Sequence, residues 1–65
     1  MTDPETMIAW LDRRIASAST WLEDHGRSSK RPRPEIEIEA KEFDIARFEE
    51  IKAAYLKALS KRNAA

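Results

Sequence analysis

The sequence predicts an all-α fold, a two-helix antiparallel hairpin that pairs with a second copy to form a dimeric four-helix bundle. Apolar residues recur at alternating spacings of three and four in the first third of the chain, and they return at helical spacing in the second half. Between the two lies "GRSSKRPRP", a stretch of glycine, serine, proline and positive charge at residues 26–34. With 65 residues and no cysteine, the chain has no disulfide or thiolate metal site to fasten a small core. A core of that size needs help from a partner.

The first helix is expected over residues 4–25. In "TDPE", either Asp3 caps it with Pro4 at the first helical position, or Thr2 and Glu5 form a capping box. Ile8, Leu11, Ile15, Ala18 and Leu22 then share one seam, with Asp12, Arg13, Ser19, Thr20 and Glu23 away from it. Gly26 suits the left-handed position that ends many helices, and His25 stands where a cation complements the helix dipole.

Residues 35–62 are expected as the second helix, although "PEIEIEA" also alternates as a half-buried strand would. A lone strand has nothing in the chain to pair with. Pro34 at the start, glutamates in the first turns and Lys57, Lys61 and Arg62 near the end all complement a helix dipole. Ile45, Phe48, Ile51, Tyr55, Leu56 and Leu59 are assigned to its hairpin face, with Lys52 among them turning its ammonium outward. Ile36, Ala40 and Phe43 fall on a second stripe that Ala54 and Ala58 continue.

Folding these helices together brings Leu59 near Ile8, Tyr55 near Leu11, Ile51 near Ile15 and Phe48 near Ala18. About 10 Å at the start of the longer helix is then left over, using 1.5 Å per residue. Trp10 and Trp21, eleven residues apart, point the same way from the first helix, beside the seam with Met7. One hairpin cannot cover Trp10, Trp21, Ile36 and Phe43, so these four are the expected interface for a second copy or a protein partner.

Twelve basic and twelve acidic residues balance to zero, which argues against a surface built wholly for nucleic acid or anionic lipid. Their distribution is uneven: residues 1–26 carry −3, residues 27–33 carry +4, residues 35–50 carry −5 and residues 51–65 carry +4. Arg27, Lys30, Arg31 and Arg33, with Ser28 and Ser29, could grip phosphates, but no aromatic neighbour is there to stack on a base. A charged, proline-containing linker is also what keeps a helix connection soluble.

The seven acids of residues 35–50 read as a solvated face. Carboxylate catalysis needs a pocket that shifts pKa values, and the only histidine, His25, lies at the turn, far from any Glu-x-x-His pattern. No Gly-rich phosphate loop, Cys/His cluster or Ser/His/Asp spacing occurs. The expectation is a small cytoplasmic accessory protein without cofactor, metal or catalytic site, and with no membrane span or leader. It would act as a protein-interaction or assembly module in the form of a helical homodimer. The alternative is a nucleic-acid-binding helical dimer that contacts phosphates through the basic turn.

Overall fold

The computed structural model describes residues 2–64; Met1 and Ala65, counted in the expected 1–65 domain, lie outside the described residues. Two α-helices, α1 (Pro4–His25) and α2 (Glu35–Ala64), pack side by side as a hairpin 50 × 20 × 15 Å in extent. Residues 35–43 are helical, so the strand alternative for "EIEIEA" is discarded. Among the described residues, no helix is long and apolar enough to cross a membrane.

Asp3 is the residue that starts α1. Its carboxylate accepts from the backbone N–H of Glu5 at 3.1 Å and of Thr6 at 3.4 Å, satisfying two donors that the first turn leaves open. At the other end the Gly26 N–H donates to the Leu22 carbonyl at 2.7 Å, but Gly26 has φ −82° and ψ −167°. The expected left-handed cap is therefore corrected to an extended one. Glycine is required there for a different reason: it is buried, and a Cβ would collide with the Leu22 carbonyl. The connector then folds back, with the Arg33 N–H donating to the His25 carbonyl at 2.9 Å.

The α1 seam packs as its spacing predicts: Leu11 and Ala18 are buried and Ile8, Ile15 and Leu22 half-buried. On α2 the inward side chains are Ile38, Lys41, Ile45, Phe48, Lys52, Tyr55 and Leu59, an unbroken alternation of three and four. The assignment of Ile51 and Leu56 to this face is corrected, since they are 44% and 45% exposed. Each is chain neighbour to a seam residue, Ile51 to Lys52 and Leu56 to Tyr55, and so sits about 100° round the helix from it. Ile38, left off the expected face, is only 2% exposed.

The expected register is also corrected. Arg62 reaches Asp3 at 3.8 Å, Lys52 reaches Asp12 at 2.6 Å, and Lys41 lies over the Trp21 ring. Phe48 meets Trp10 and Arg14, two turns and one turn before the expected Ala18. Relative to expectation, α2 has slid by about one turn, which brings its first turns level with the end of α1. The slide buries Ile38, the residue that extends the Ile45, Lys52, Leu59 row by one heptad toward the connector.

Candidate functional site

The four expected interface residues divide between two faces. Trp10 and Trp21 stand on one flank of the hairpin. Trp10, 45% exposed, meets the Phe48 ring edge-on, with centroids 6.0 Å apart and planes at 86°. The Arg14 guanidinium lies 5.7 Å from the Trp10 ring and 5.9 Å from that of Phe48, a cation held over two aromatic rings. Trp21 is half-buried, tilted against His25 and covered by the Lys41 ammonium at 5.6 Å. Half-exposed Ile51, on the Tyr55 side of α2, faces this same flank.

Ile36 and Phe43 lie on the outer face of α2, turned away from α1 and 76% and 59% exposed. Ala40, Ala54 and Ala58 follow them along the helix, all exposed. Arg47, ion-paired with Asp44 at 3.6 Å, lies over the Phe43 ring at 5.7 Å. Beside Phe43 a shallow groove of about 450 Å³ is lined by Arg27, Glu39, Glu42 and Ala46.

The basic connector looks different in three dimensions from its composition. Arg27 donates to Glu35 and, at 2.9 Å, to Glu42, clamping the start of α2 to the end of α1. Arg33 forms a two-pronged pair with Glu37 at 2.9 and 3.1 Å. Hydrogen bonds to these carboxylates hold both guanidinium pKa values above the ordinary arginine value. Lys30 and Arg31 remain exposed, beside Ser28, Ser29 and His25 in a shallow hollow that Glu23 and Asp24 share.

Composition conceals these pairs, because the acids of the expected solvated face and the cations of the linker form separate blocks along the sequence. The signal was legible only for Arg33 and Glu37, four residues apart across the start of a helix. The Lys52–Asp12 pair, which raises the lysine pKa chiefly through its hydrogen bond, joins residues on opposite helices. Lys52 therefore does not simply turn its ammonium outward, and Asp12 stands at the margin of the α1 seam.

Among the described residues, no group of three or more histidine and carboxylate side chains is placed to hold a metal ion. The chain matches no family model, no curated protein and no solved structure.

Proposed function

We propose that this chain is a small non-enzymatic assembly module that works as a helical homo-oligomer, with nucleic-acid binding through the basic connector as the alternative. One observation carries the proposal. Among the described residues the buried hydrophobic side chains are Leu11, Ala18 and Ile38, each 7% exposed or less, whereas Trp10, Ile36, Phe43, Ile51 and Leu56 each expose 44% or more. A hairpin that leaves more large apolar side chains exposed than it fully buries gains by covering them with a second copy or a protein partner.

The alternative draws on four cations, and two of them, Arg27 and Arg33, already satisfy carboxylates within the chain. A phosphate would have to displace those carboxylates or rely on Lys30 and Arg31, so the apolar faces are the stronger basis for function.

Sedimentation equilibrium at micromolar concentration tests the reading. The expected species is at least twice the 7.5 kDa chain mass, with a melting temperature that rises with protein concentration. Phe43→Glu should shift it toward monomer, and Glu39→Gln should not. A fully helical 7.5 kDa monomer at every concentration would refute the proposal. Nucleic-acid binding that weakens steeply with salt, and is lost when Lys30 and Arg31 become Gln, would support the alternative instead.

A further inference from the structure

Resting on the homo-oligomer reading, we infer that the second copy docks on the outer face of α2, helix against helix and antiparallel, centred between Arg47 and Glu50. The outer face has its own heptad alternation: Ile36, Ala40, Phe43, Arg47, Glu50, Ala54, Lys57 and Lys61 follow one another at spacings of four and three. All eight are exposed in the single hairpin. The same helix thus carries one complete seam against α1 and a second, unoccupied seam on its far side.

Charge decides the occupant and its direction. Residues 35–50 carry −5 and residues 51–65 carry +4, so α2 is acidic in its first half and basic in its second. Two parallel copies would lay acid on acid and base on base, stacking Arg47 on the partner's Arg47 and Glu50 on the partner's Glu50. Two antiparallel copies lay each half on its complement. In that arrangement Arg47 meets the partner's Glu50, twice by symmetry, at the centre of the seam. Next along, Phe43 meets the partner's Ala54, a large side chain against a small one. At the ends, Lys57 and Lys61 lay their stems over the partner's Ala40 and Ile36, with their ammonium groups among the glutamates of the acidic half.

In the basic half the side chains flanking the seam allow a close approach, since Ala53, Ala58 and Ser60 are small and exposed, as is Ala46 before them. In the single hairpin Arg47 covers the Phe43 ring and pairs with Asp44 only at 3.6 Å, a solvent-side arrangement that leaves the guanidinium able to turn to the partner's Glu50.

Disulfide trapping tests the direction cleanly, because the chain has no cysteine of its own. Ala40→Cys mixed with Lys57→Cys should give a crossed disulfide dimer. Ala40→Cys alone should not, because its two copies would stand about 25 Å apart at 1.5 Å per residue, far beyond disulfide reach. Arg47→Glu and Glu50→Arg should each weaken wild-type-like dimerisation at least tenfold while keeping monomer helicity, and an equimolar mixture of the two should recover it.

A dimer in which Ala40→Cys alone cross-links would overturn the antiparallel direction. A dimer that neither charge variant weakens would place the contact elsewhere, on the tryptophan flank, overturning this inference while the homo-oligomer reading stands. A wild-type chain that remains monomeric would remove both.

Discussion

Phe48 packs edge-on against Trp10, and Arg14 lies over both rings. That meeting sets the hairpin's register. An aromatic pair at the edge of a two-helix seam combines large buried area with a directional contact, which neighbouring aliphatic layers lack. Once Phe48 is held there, Lys52 falls opposite Asp12 and Ile38 comes level with the end of α1, so three separate contacts depend on one registration.

Ile38 should prove as important to stability as Leu11. Each is nearly fully buried, at 2% and 1% exposure, and truncation to alanine should cost about 2 to 5 kcal/mol in either case. Ile15→Ala, at a half-buried seam position, should cost less, and Ile51→Ala or Thr20→Ala little. Chemical denaturation at one fixed protein concentration checks the ranking; an Ile38 variant as stable as the Ile51 variant would mean that α2 docks in another register.

Gly26→Ala should destabilise the hairpin by about 1 to 3 kcal/mol, the range of ordinary structural substitutions. The cause is the collision of a Cβ with the Leu22 carbonyl, which must move together with the end of α1. Thermal denaturation of the variant beside wild type checks the expectation; an unchanged melting temperature would show that the end of α1 gives way to the Cβ without cost.

The Lys52–Asp12 pair should show itself in alkali. Its hydrogen bond raises the lysine pKa above the ordinary 10.5, so the folded state holds this proton more tightly than the unfolded chain does. The pair's contribution is then complete below the unfolded value and fades as pH rises through the folded one. Asp12→Asn should melt modestly lower than wild type at neutral pH, and the two curves should converge as pH rises through the raised lysine value.

Replacing Arg27 by Gln should loosen the connector end while leaving both helices formed. Its partners Glu35 and Glu42 are about as exposed as it is, so the effect on the melting temperature should be small and should vanish near 1 M salt. Hydrogen exchange should nevertheless speed up selectively at the first turn of α2, where Arg27 ties Glu35 to the loop. Uniform acceleration along the chain would show that the clamp has no local role.

The two helices, the Asp3 cap and the α1 seam were legible because they are set by neighbours within a few residues. Asp3 and Pro4 act on the first turn, and Ile8, Leu11, Ile15, Ala18 and Leu22 are kept on one side by the helical repeat alone. Ile38 was legible too, seven residues before Ile45, but the alternation of "EIEIEA" fits a half-buried strand as well as the heptad. The two apolar faces that hold Trp10, Trp21, Ile36 and Phe43 also followed from spacing, as did the charge blocks along α2.

Sequence by itself therefore determined the helices, the connector and which residues could not all be covered by one partner. Tertiary structure alone decided the register, the exclusion of Ile51 and Leu56 from the seam, the extended backbone of Gly26 and the capture of Arg27 by Glu35 and Glu42. The physical reason is that a seam with a heptad repeat looks nearly the same after sliding by one turn, so local periodicity leaves the choice open. Only contacts between residues far apart in the chain, Phe48 with Trp10 and Lys52 with Asp12, separate one register from the next.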